Sequence, residues 1–151
     1  MAKEFPNLLR VLGEDFSWLG GWENLVYQLC KDIEAELVKL PEEERRLMYA
    51  VQIKEKYGAL RFYMSSETDE ICDLITEAEQ KSTSICESCG ATPARPRGGG
   101  WVITHCDRCA TKRMLRETRC SSRLEALVLH KLEFTEEQWD QFQREIDEEG
   151  R

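Results

Sequence analysis

Four cysteines stand in two pairs, Cys86-x2-Cys89 and Cys106-x2-Cys109, with sixteen residues between the pairs. A thiolate is a soft, strongly donating ligand, and a C-x2-C turn brings two of them onto one centre; two such turns at this spacing supply a tetrahedral zinc site. Cys86, Cys89, Cys106 and Cys109 are therefore the expected ligands of one Zn2+ ion. Four sulfurs close the coordination shell and leave no position for water or substrate, so the ion is expected to be structural. An iron–sulfur cluster also takes four thiolates, and spacing alone does not separate the two metals. A dithiol redox role for either pair lacks the strand-to-helix setting that such chemistry uses.

The chain has two histidines. His105 precedes a ligand directly, and neighbouring side chains on a knuckle diverge, so it is expected beside the metal or at the surface. His130 reads as a packed or exposed helix residue. No carboxylate pair, Ser-His-Asp or Cys-His spacing specifies a reaction, and no catalytic residue is assigned. The expectation is a protein that is not an enzyme; an enzyme whose active site sequence does not reveal, built from carboxylates or His130 gathered in a pocket, ranks behind binding to a protein or to nucleic acid.

The second chemical feature is charge. Residues 90–123 carry eight Lys/Arg against two Asp/Glu, whereas residues 1–89 are net −8 and residues 124–151 net −6. Arg95, Arg97, Arg108, Lys112, Arg113, Arg116 and Arg119 lie in or just after the cysteine segment, with Trp101 among them. A zinc tetrathiolate carries about −2, so part of this positive charge offsets the thiolates or pairs with acids elsewhere. The alternative is that these arginines face phosphates or an acidic protein, with Trp101 available for stacking. The overall charge of −8 opposes indiscriminate nucleic-acid binding, which places a protein partner first and nucleic acid second.

Several elements must hold this segment in place. Trp22, Leu25, Val26, Leu29, Ile33 and Leu37 recur at three- and four-residue steps, an amphipathic helix ending near Leu40 and Pro41, with Cys30 beside its apolar stripe. Gly20 and Gly21 let the chain turn into it and are not a phosphate loop. In YAVQIKEKYGALRFYM the period changes to two, predicting a hairpin turning at Tyr57 and Gly58. Val51, Ile53, Leu60, Phe62 and Met64 are then expected on the buried face. Gln52, Lys54, Lys56, Arg61 and Tyr63 fall on the other, and Lys54, Arg61 and Tyr63 join the candidate binding residues. A second amphipathic helix, capped at its start, follows Ser66 with Ile71, Leu74, Ile75 and Ala78 inward. Beyond the cysteines DRCATKRMLRETRC reads as a basic helix, and the pairs Ser122/Glu125 and Thr135/Gln138 are capping boxes for further helical segments.

The class that results is α+β: two amphipathic helices packed on a β-hairpin, then a four-cysteine zinc ribbon, then a helical C-terminal region. The expected divisions are 1–85, 86–110 and 111–151. Seven cysteines, an odd number with four in metal spacing, fit a reducing compartment better than a disulfide framework. No apolar run approaches the length of a membrane span, so a cytoplasmic protein without membrane contact is expected.

The segments GWENLVYQLC, QIKEKYGALRFY, AEQKSTSICESCG and GGGWVITHCDRCA together resemble a family of small uncharacterised proteins encoded by bacteriophages and prophage-bearing bacteria. The resemblance spans about residues 20–110. It implies a phage-type origin, hence a bacterial host cytoplasm, and a zinc ribbon. No established activity or catalytic residue comes with it.

Overall fold

The computed structural model describes residues 1–13, 15–98, 100–118 and Arg144. Two compact units divide the chain, Met1–Cys106 and Asp107–Arg151. The first is an α+β unit with two small antiparallel sheets, β1–β2 and β3–β4. Of the second, the described part is essentially the helix α4, Asp107–Thr118, which matches the basic helix expected from sequence. The two capping boxes, Arg119, Cys120, His130 and the segments after them lie outside the described residues. Among the described residues no helix is long and apolar enough to cross a membrane.

Helix α1 (Glu23–Leu37) follows a 3-10 turn over Ser17–Trp22, and Val26, Leu29, Cys30, Ile33 and Leu37 form its buried stripe. Pro41 then caps a one-turn helix α2 (Glu42–Arg45), whose glutamates sit at its positive end. Helix α3 (Asp69–Ser82) starts at Thr68, whose hydroxyl accepts the Ile71 N–H at 3.4 Å, and it buries Ile71, Ile75 and Ala78. This helix packs on β2, and α1 packs on α3.

Strands β1 (Ala50–Lys56) and β2 (Ala59–Met64) are joined at Tyr57 and Gly58, both at positive φ (56° and 73°), as a type I′ turn requires. Gly58 also donates its N–H to the Glu55 carboxylate at 2.6 Å. Ile53, Leu60 and Phe62 are buried as expected, and Met64 is half-buried against the core. Val51 is the exception: it is exposed, and Ala50 takes the inward position. The cause is a bulge. Ala50 pairs with Met64 but Gln52 with Tyr63, so Val51 is an extra residue on β1, and alternation fails across it.

The outer edge of β2 is sealed by α3. Leu60 donates its N–H to Ser82 Oγ at 2.9 Å, and Phe62 donates its own to Glu79 Oε1 at 3.1 Å. Buried backbone donors on a two-stranded sheet need such acceptors, because each one left unpaired costs about 1–3 kcal/mol.

The core extends into the first nineteen residues, where sequence periodicity gave little warning. Phe5, Leu8, Leu9, Phe16 and Leu19 are buried on a succession of turns, tied to the sheet by Ala50 N–H donating to Leu8 O at 2.8 Å. Burial of side chains this size contributes roughly 1.5–3 kcal/mol each, enough to hold an irregular segment.

Candidate metal centre

The cysteine segment is built on a minimal ribbon. Strand β3 (Arg95–Arg97) pairs with β4 (Ile103–His105), with Arg95 opposite His105 and Arg97 opposite Ile103. Gly98, at φ 108°, starts the return; a Cβ there would stand 2.2 Å from Trp101 O. The first knuckle bonds to this ribbon and to itself: Glu87 N–H donates to Thr104 O at 3.0 Å, Gly90 N–H to Cys86 O at 2.8 Å, and Cys86 N–H to Ala91 O at 3.0 Å.

These contacts bring the sulfurs of Cys86, Cys89, Cys106 and Cys109 within 4.8 Å of one another, and together they could hold one metal ion. Cys89 Sγ and Cys106 Sγ are 3.7 Å apart. A disulfide would need about 2.05 Å, whereas the edge of a tetrahedron with Zn–S bonds of about 2.3 Å is about 3.8 Å. The donor set thus fits a tetrahedral thiolate-loving ion. Burial alone pushes the Cys86 thiol up, but the backbone N–H groups of Cys106, Cys89 and Ser88, with the Cys89 side chain, outweigh it and hold the thiol below its ordinary value.

His105 is outside the sulfur cluster. It is buried, with Nε2 2.8 Å from Ser88 Oγ and 3.8 Å from a Glu87 carboxylate oxygen, so it braces the first knuckle against β4. Cys30 is buried in α1 and Cys72 exposed on α3, both apart from the cluster.

Gly20 and Gly21 do more than turn the chain. Gly21 N–H donates to Glu87 O at 2.7 Å, and Trp22 Nε1 donates to Ile85 O at 3.0 Å. A Cβ on Gly21 would lie 2.0 Å from Cys86 O and 2.2 Å from Gly90 N, and one on Gly20 would lie 2.5 Å from Glu87 O. The first knuckle is therefore seated backbone to backbone on the entry to α1. Nothing in the GG dipeptide itself identifies which distant segment approaches it.

The candidate binding residues separate into groups. Arg95 is exposed and Arg97 half-buried, with Arg97 Nε donating to His105 O at 3.2 Å; Trp101 is 71% exposed. Lys54 Nζ lies 5.2 Å from the centroid of the Tyr63 ring. Arg61 is engaged by Glu79 at 3.1 Å and by its neighbour's carbonyl, Leu60 O, at 2.7 Å. Arg108, Lys112, Arg113 and Arg116 lie on α4. Tyr57, 72% exposed at the hairpin tip, is an addition that the alternation of the strands did not single out.

Comparison with protein-family models, with curated proteins and with solved structures finds no match to this chain.

Proposed function

We propose that this chain is a non-enzymatic accessory or regulatory module of phage type, acting in a bacterial cytoplasm, in which one structural zinc ion stiffens a ribbon that helps to bind a protein partner. The observation that carries the reading is the closed set of four sulfurs, Cys86, Cys89, Cys106 and Cys109, within 4.8 Å. When bound, the ion supplies cross-linking free energy to a segment too rich in Gly, Pro and Arg to build a core of its own. The protein supplies the rest: N–H groups that favour the Cys86 thiolate, His105 beneath the first knuckle, and a seat on Gly20 and Gly21 that joins the ribbon to the main core.

The test is metal content and folding on the same samples. Chain purified without added metal should carry one zinc. Cys86→Ser and Cys106→Ser should lose it together with the ribbon fold, whereas Cys30→Ser should retain it with a modest core defect of about 1–2 kcal/mol. Absence of stoichiometric metal from the unaltered chain, or equal tolerance of all three substitutions, would overturn the reading. A search of the same preparations for co-purifying nucleic acid, before and after a high-salt wash, tests the rival partner class.

A further inference from the structure

The turn of the hairpin β1–β2 meets the ribbon at Val102 and Thr104, just before and within strand β4. Thr104 donates its hydroxyl to Gly58 O, and a Cβ on Gly58 would stand 3.0 Å from both Val102 Cγ1 and Thr104 Oγ1. The residues flanking this seam, Tyr57 on the hairpin and Trp101 on the ribbon, are the most exposed large apolar side chains among the described residues, at 72% and 71%. Two bulky aromatic side chains this exposed, next in sequence to a close backbone contact, bury little surface within the fold. Tyr and Trp in that situation are the residue types that anchor protein interfaces.

The charge around them is sorted. Lys56 Nζ lies 5.5 Å from the Tyr57 ring centroid and Lys54 Nζ 5.2 Å from that of Tyr63, so two ammonium groups are held over rings on one face of the hairpin. The neighbouring acid, Glu55, is turned inward to the Gly58 N–H, and Arg61 on the same face is already neutralised by Glu79. What these elements present is an exposed aromatic residue next in sequence to each side of the seam, and two lysines held over tyrosine rings on the hairpin.

We propose that Tyr57, Trp101, Lys54 and Lys56 form the docking surface for a protein partner, which binds through an acidic peptide segment carrying an apolar anchor. This rests on the reading of the chain as a zinc-stiffened binding module, since the ribbon must be folded to hold Trp101 beside the hairpin. Ammonium groups pinned over tyrosine rings have lost part of their freedom before binding, which lowers the entropic cost of meeting carboxylates. The same pinning disfavours single-stranded nucleic acid. Stacking successive bases needs several open aromatic faces, and here the Tyr57 and Tyr63 rings already carry lysines, while Trp101 is 71% exposed. A polyanion is also repelled more strongly than a short peptide by a chain of net charge −8.

The experiment uses the full zinc-loaded chain and two fluorescein-labelled probes: a peptide in which glutamates flank a central Leu-Leu pair, and a mixed-sequence single-stranded DNA. Anisotropy should show salt-sensitive binding of the peptide, weakened roughly tenfold or more by Trp101→Ala. The double variant Lys54→Glu with Lys56→Glu should weaken it similarly and flatten its salt dependence. Lys39→Glu, a change at an exposed lysine two residues past the end of α1, should stay within about twofold. Bound zinc and the circular dichroism spectrum are measured on every variant. One zinc and an intact fold with no peptide binding, or with binding indifferent to Trp101→Ala and the lysine reversal, would overturn this surface while leaving the metal reading standing. Loss of zinc from the unaltered chain would overturn the reading beneath it. Tighter binding of the DNA than of the peptide through these residues would overturn the assignment of a protein partner.

Discussion

Gly21→Ala isolates the seat between the first knuckle and the main core. Only hydrogen atoms can occupy the Cβ position, because the added carbon would meet Cys86 O at 2.0 Å and Gly90 N at 2.2 Å, both backbone atoms. To restore contact at 3.4 Å the two backbones must separate by roughly 1.4 Å. A shift of that size breaks the Gly21 N–H to Glu87 O bond, now 2.7 Å, and pulls Trp22 Nε1 from Ile85 O, now 3.0 Å. Each bond is worth about 1 kcal/mol net, and a buried partner left unpaired costs about 1–3 kcal/mol, so the total is about 2–4 kcal/mol. For a chain of this size that corresponds to a fall in Tm of about 5–15 °C. Thermal melting of the zinc-loaded chain by circular dichroism reads it directly. The variant should still take up one zinc at saturation and yield it more readily to a chelator. Gly100→Ala is the control, since an added Cβ there meets nothing within 4 Å. A Gly21→Ala chain that melts within about 2 °C of the parent would refute the argument that the ribbon and the core are coupled through this dipeptide.

Two further perturbations test other parts of the fold. Burial, aided by Glu34 and opposed by the N-terminal amine, pushes the Cys30 thiol up from 9.0 to about 12. The folded chain therefore holds that proton more tightly than the unfolded one, so stability is unaffected below pH 9 and falls by about 1.4 kcal/mol per pH unit between the two values. Urea unfolding at about pH 8 and about pH 10.5 should show the parent losing about 2 kcal/mol more than Cys30→Ala; equal losses would contradict the burial of an ionisable thiol there. Ser82→Ala removes the acceptor of the Leu60 N–H and should cost about 1–3 kcal/mol in the same assay, with an unchanged zinc content.

The legible parts of this molecule were those in which local chemistry fixes spacing. Ligation needs two short C-x2-C turns, and the four cysteines come together accordingly. Alternation placed Ile53, Leu60 and Phe62 inward, and a glycine after Tyr57 marked the turn. What was hidden depends on partners far along the chain. The bulge that exposes Val51 is a backbone event at one residue, and no side-chain pattern announces it. Phe5, Leu8 and Leu9 enter the core from turns without a period. Arg61 looked available on its strand, yet Glu79, eighteen residues later on α3, takes its charge. Gly20 and Gly21 signalled conformational freedom, but the reason for it, a carbonyl of the first knuckle, lies more than sixty residues away.

The acceptors that α3 lends to β2 make the first sheet one-sided. With Ser82 and Glu79 occupying the outward N–H groups of Leu60 and Phe62, no further strand can add there without displacing a helix. By register, the backbone groups of Ile53 and Glu55 on β1 point away from β2. Lys54 and Lys56 border those groups, and lysines on an edge strand oppose pairing with another copy. The same two charges invoked for the proposed docking surface thus also oppose strand pairing between copies, so neutralising them is expected to affect both.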